Sequence, residues 1–193
     1  PFKERRMRVG FAARWDQEKQ PDFYMDVIEE VKNRFDQRNE HVEFAVFSGA
    51  PLRSNNSSYM QRTRDFVSRG LLTVYENLDK NAYYDLLNDT RVLFNCALQD
   101  WVSNTVSEAD TLGCNVCYPA YRSFPETFSN DYSRLYTPWS VEDASIKLFN
   151  MLQSPSKNQG KISDWTDKTI DRICDIIEGD GEEWLRMSTD YRK

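Results

Sequence analysis

The sequence predicts an open α/β fold, a parallel sheet of about six strands with helices on both faces. Two observations lead there. Short apolar runs of the kind that form buried parallel strands alternate along the chain with segments whose apolar residues recur at helical spacing. In addition, 193 residues, 39% of them hydrophobic and 13% aromatic, suffice to bury one substantial core, so a single domain is expected over 1–193.

Met7 to Ala13 reads as the first strand. Pro21 opens a helix on which Phe23, Val27, Val31 and Phe35 recur at helical spacing, and the loop between strand and helix carries Arg14 and Lys19. Val42 to Phe47 is the second strand, closed by Ser48-Gly49-Ala50-Pro51, where Gly49 either lets the backbone approach a ligand or simply makes the turn. A polar loop from Arg53 to Ser58 precedes a helix over Tyr59 to Ser68 that ends at Gly70, and Leu71 to Tyr75 is the third strand. Leu78-Asp79-Lys80 leads into an amphipathic helix with Tyr83, Leu86 and Leu87, after which the fourth strand, Arg91 to Phe94, stops abruptly at Asn95. Ser103, Asn104 and Thr105 are N-cap candidates ahead of Val106, Ala109 and Leu112, with Gly113 as the stop. Cys114 to Tyr118 is the fifth strand, Leu135-Tyr136 a short sixth, and a helix runs from Val141 or Glu142 to Leu152. Residues 161–193 carry Trp165, Ile170, Ile173, Ile177 and Trp184 on apolar stripes and are expected to be packing helices, broken at Gly179-Asp180-Gly181.

A formal charge of −6 and a pI near 5.0 supply no general attraction to nucleic acid or an anionic membrane, so an anionic ligand has to be held by a local group of cations. No apolar run reaches the length of a transmembrane helix and the opening, Pro1 to Arg6, is not a signal peptide. The domain is expected in the cytoplasm, as a piece of a longer protein. Cys114 and Cys117 have the spacing of half a zinc site without a second pair, and a strand places their side chains on opposite faces. Reduced, partly buried thiols are expected, and no metal centre. The single histidine, His41, lies in a polar run and reads as a surface residue, which argues against Ser-His or Cys-His catalysis.

The candidate chemistry sits in the stretch from Asn95 to Glu126. Ligands of open α/β sheets bind outside the carboxyl ends of the strands, and free N–H groups at a helix start favour an anion, so a phosphate is expected beside Ser103, Asn104 and Thr105. Asp100 precedes that helix and Glu108 lies about one turn inside it, where both can offer acceptors to hydroxyls. Arg14 and Lys19 suit a phosphate as well, since a guanidinium forks across two oxygens and a lysine adds a mobile point charge. Each of these charges has a plain alternative as a solvated loop or surface residue.

Asp100-x7-Glu108-Ala109, closed by Gly113, resembles the E-x7-E segment of retaining GT-B glycosyltransferases of the family-4 type, with Asp100 for its first Glu and Ser103 for a Gly. The loop from Arg14 to Lys19 resembles that family's R-x4-K segment, and Tyr121 to Glu126 its "PE" loop. The resemblance spans about the first 150 residues. It implies a Rossmann-like domain, the C-terminal half of a GT-B fold, that binds a nucleotide-sugar donor without metal or other cofactor. It further implies that Arg14 and Lys19 hold the diphosphate and act catalytically on it as it leaves, and that Glu108 takes the ribose hydroxyls. Asp100 would lie catalytically at the sugar hydroxyls, and Glu76-Asn77-Leu78 near the base, with Asn77 where the family has glycine. The N-terminal acceptor domain would be a partner absent from this chain, crossed by the helices of 161–193, and the acceptor itself is open. A sugar-nucleotide epimerase, a phosphorylase or a non-catalytic scaffold of the same fold are the alternatives. A flavodoxin-like receiver fits less well, because Arg14 stands where its acidic cluster would be.

Overall fold

The elements run β1 (Arg6–Phe11), α1 (Pro21–Asp36), β2 (Glu43–Phe47), α2 (Ser57–Ser68), β3 (Thr73–Tyr75), α3 (Lys80–Asp89), β4 (Thr90–Phe94), α4 (Asn104–Thr111), β5 (Asn115–Pro119), α5 (Phe124–Thr127), β6 (Leu135–Tyr136) and α6 (Val141–Gln153). A single 3-10 turn, Gln17–Lys19, lies between β1 and α1. The computed structural model describes residues 5–100, 103–127 and 131–154, and the helices expected in 161–193 fall outside them.

Side chains alternate across each strand, and this divides the core in two. Val9, Phe11, Phe44, Val46, Val92, Phe94, Cys117 and Tyr136 face the helices α1, α2 and α6. Ala45, Phe47, Leu93, Val116, Tyr118 and Leu135 face α3 and α4. Both faces of the sheet are therefore covered, which is why its strands read as nearly continuous apolar runs. Gly10 is needed on the second face, since a Cβ there would stand 2.5 Å from a ring carbon of Phe47. Arg8 is a charged exception inside a strand: it is 2% exposed, its Nε donates to Glu43 at 2.8 Å, and its guanidinium lies 5.7 Å from the centre of the Tyr75 ring.

All six strands are parallel, in the order β3-β2-β1-β4-β5-β6. Two strands start later than their apolar runs, for one shared reason. Gly70 (φ +69°) follows α2 in the left-handed region, and the amides of Gly70 and Leu71 close back on Val67 and Phe66 at 3.0 and 2.8 Å. Leu71 is thereby spent on capping α2 and β3 begins at Thr73. Gly113 (φ +75°) and Cys114 do the same for α4, bonding Asp110 and Ala109 at 2.8 Å each, so β5 begins at Asn115. The starts of α2, α3 and α6 are capped by the side chains of Asn56, Asp79 and Ser140, while α1 opens with Pro21. Ser103, ahead of α4, makes no such cap.

Among the described residues no helix is long and apolar enough to cross a membrane. Cys96, Cys114 and Cys117 are free and buried, with Cys114 and Cys117 in the cores on opposite faces of the sheet. His41 is exposed.

Candidate functional site

The strand order turns back between β1 and β4, so the loops that leave these two strands diverge and open a crevice at the carboxyl edge. The loops are laced together across it. The amide of Leu98 donates to the Glu18 carbonyl at 2.9 Å, Gln20 Nε2 to the Cys96 carbonyl at 2.6 Å, and Cys96 Sγ to the Lys19 carbonyl at 3.2 Å. Gln20 holds φ +51° to do this. Lys19 and Asp100 complete the lacing as a direct ion pair, with side chains 14% and 20% exposed. Burial pushes the Cys96 thiol well above its usual range.

Beside the lacing, on the face of α3 and α4, lies a cleft of about 440 Å³. Its volume is in the range of small-molecule sites. Arg14 enters it from the β1 loop, Ser48 and Gly49 from the β2 loop, Asp79 and Lys80 from the start of α3, and Asn104, Thr105 and Glu108 from α4. A Cβ on Gly49 would meet the Leu78 carbonyl at an ordinary 3.5 Å, so this position does not require glycine for space. Of the seven candidate residues, Arg14, Asn104, Thr105 and Glu108 meet in this cleft, while Lys19 and Asp100 meet each other. Ser103 is buried next to both groups, where its Oγ accepts from Asn95 Nδ2 at 3.3 Å and lies 3.1 Å from Thr105 Oγ1. A larger, polar cleft of about 810 Å³ lies on the far side of the Arg14 loop, between Asp16, Glu18 and Asn55.

The charges in the site are paired with one another. Arg14, 70% exposed, pairs with Glu18 and with Asp16 at 3.4 Å. Glu108 accepts from Lys80 Nζ at 2.6 Å and Tyr84 OH at 3.3 Å on Oε1, and from Tyr83 OH at 3.1 Å on Oε2. Lys80 also lies 4.7 and 5.3 Å from the ring centres of Tyr84 and Tyr83. The hydrogen bond to Glu108 raises the Lys80 ammonium above its usual range and keeps it charged. Burial, with Glu108 next, pushes the Tyr83 hydroxyl up, so it remains a donor. Lys80, Tyr83 and Tyr84 escape a motif search, but their i, i+3, i+4 spacing at a helix start places them on one face.

Two departures from the glycosyltransferase pattern are harmless to the backbone. Asn77 holds φ +55°, the left-handed conformation that a glycine there would supply and that asparagine tolerates. Ser103 sits at φ −96° and ψ 109°, which any residue adopts. Among the described residues no group of three or more His, Cys, Asp or Glu could hold a metal.

No family model matches this sequence, and no curated protein matches it. Solved structures do. OtsA, in an apo structure, is similar over 83% of this chain and 39% of its own, at 9% identity and a TM-score of 0.67. The UDP-forming α,α-trehalose-phosphate synthase of Burkholderia xenovorans, in complex with glucose-6-phosphate, is similar over 82% of this chain and 39% of its own, at 12% identity and a TM-score of 0.63. A variant of S. aureus TarM in complex with fondaparinux, α-GlcNAc-glycerol and UDP is similar over 95% of this chain and 36% of its own, at 17% identity and a TM-score of 0.64. These are GT-B glycosyltransferases, and the likeness gives this chain the Rossmann-like fold of one half of a GT-B protein. The chain spans about 39% of the length of the first two.

Proposed function

We propose that this chain is the donor-binding half of a retaining glycosyltransferase, which holds a nucleotide sugar in the cleft beside β1 and β4 while a second domain presents the acceptor. The observation that carries the reading is the meeting of Arg14, the opening of α4 and Glu108 in one cleft of about 440 Å³ at the carboxyl edge of a GT-B-type sheet. The amides at Asn104 and Thr105 face no side-chain cap and suit a phosphate, and Arg14 adds a fork of donors. Lys19 acts on the leaving diphosphate from the laced loop, Asp100 on the sugar hydroxyls, and Glu108 on the ribose. The cations and the helix start supply the positive charge that a departing diphosphate needs, so the reading asks for no metal. UDP, present in the TarM structure, is the first nucleotide to test.

One observation favours a second reading, a non-catalytic relative that keeps the fold for binding or scaffolding. Arg14 and Lys19 already have Asp16, Glu18 and Asp100 as partners, which leaves these five groups with more negative than positive charge. Calorimetry separates the two. On the donor-binding reading, Arg14→Ala weakens a nucleoside diphosphate by about 1.5–3 kcal/mol, the worth of a charged hydrogen bond, and leaves the bare nucleoside unchanged. For Lys19 the suitable variant is Lys19→Met with Asp100→Asn, which removes the ion pair without leaving a carboxylate unpaired. Absence of any nucleotide binding by the unmodified protein would favour the scaffold. An epimerase or phosphorylase of this fold is told apart by its products, with and without an acceptor.

A further inference from the structure

Glu108 is nearly saturated before any ligand arrives. A carboxylate offers about four acceptor positions, and Lys80, Tyr84 and Tyr83 take three of them. A cis diol needs two, one on each oxygen, so one present donor has to yield. The tyrosines are poorly placed to do so, because Tyr83 and Tyr84 pack against the core beneath α3. Lys80 is the movable partner: its side chain is 62% exposed and sits on a flexible four-carbon stem. It is also the first residue of α3, next to the Asp79 cap, at the end where the helix dipole disfavours a cation. Its position there is compensated by Glu108 and by the two tyrosine rings. An ammonium that leaves a carboxylate needs another anion, and the same cleft holds the uncapped opening of α4.

We infer that Lys80 and Glu108 form a counter-ion latch that selects ligands carrying a cis diol and a phosphate on one molecule. The diol takes the place of Lys80 on Glu108, and Lys80 passes to the phosphate while remaining over the tyrosine rings. A nucleoside without phosphate breaks the ion pair with nothing to receive the ammonium. A phosphate without a diol leaves Glu108 unsatisfied on one side. Lys80 is thus a specificity-determining residue of the site proposed above, and the inference rests on that nucleotide reading.

The test is a calorimetric comparison of uridine, adenosine and guanosine with UDP, ADP and GDP, on the unmodified protein, Lys80→Met and Lys80→Arg. For whichever base binds, Lys80→Met is expected to tighten the nucleoside about two- to fivefold, the worth of an exposed ion pair no longer in competition. The same variant weakens the diphosphate about tenfold, as loss of one charged hydrogen bond implies. Lys80→Arg keeps the preference for the diphosphate. A surface charge with no part in selection would move both ligands by the same factor or neither, and that result overturns the latch while leaving the nucleotide reading intact. If the unmodified protein binds none of the six, the nucleotide reading falls and the latch with it.

Discussion

Asn77 and Trp139 are the residues at which backbone conformation decides most. Both hold positive φ, +55° and +62°. For an L-residue this conformation costs about 1–2 kcal/mol, which asparagine reduces by local hydrogen bonding and a large aromatic does not. Asn77→Gly is therefore expected to leave stability unchanged, Asn77→Ala to lower it by about 1 kcal/mol, and Trp139→Gly to gain less than the strain it relieves, because the edge-on packing of Trp139 against Tyr121 is lost with the ring. Urea denaturation curves check all three. In the sequence, Asn77 and Ser103 stand where the resembled family has glycine. Conformation was not legible there: a one-letter code does not say whether a position needs positive φ, and only the first of these does.

At the scale of elements the strands were readable, because short continuous apolar runs between helical segments report burial on both faces of a parallel sheet. Their starting residues were not, since Leu71 and Cys114 are apolar enough for a strand while their amides close the Schellman turns of α2 and α4. Alternation of side chains along a strand also places Cys114 and Cys117 on opposite faces, where both are buried. Burial pushes the Cys114 thiol from its ordinary 9.0 up to about 12, and Cys96 and Cys117 are raised as well. A folded-state thiol that keeps its proton longer than the unfolded one makes no demand below pH 9. Between pH 9 and 12 unfolding releases a proton, so stability falls by about 1.4 kcal/mol per pH unit for such a thiol. Denaturant midpoints are expected to be flat for this group near neutrality and to drop across that alkaline window, less steeply in Cys114→Ala. At pH 7 all three thiols should resist alkylation until the protein unfolds.

For the whole molecule, the order β3-β2-β1-β4-β5-β6 could not be seen in the chain, because it depends on which distant strands pair, and it is this order that divides the candidate residues between a cleft and a laced crevice. The motif spacing brought Arg14 and Glu108 to one cleft but said nothing of Lys80, Tyr83 and Tyr84, whose role comes from the packing of α3 against α4. The cleft is bounded by loops of a single sheet edge, and the chain spans about 39% of the length of the first similar structures. Sugar transfer needs more than a held donor: the acceptor hydroxyl must be positioned, and water must be kept from the reacting carbon. Among the described residues the walls of the cleft come from the loops after β1, β2 and β3, from the start of α3 and from α4, all at one edge of the sheet. The chain is therefore expected to bind a nucleoside diphosphate saturably, to form no glycosylated acceptor, and to release free sugar no faster than the donor hydrolyses by itself. Calorimetry and chromatographic product analysis on the same preparation check the two halves of this statement. Sustained transfer to an added hydroxyl acceptor would show that one sheet edge suffices and would overturn the half-site reading, whereas binding without transfer is the outcome that reading expects.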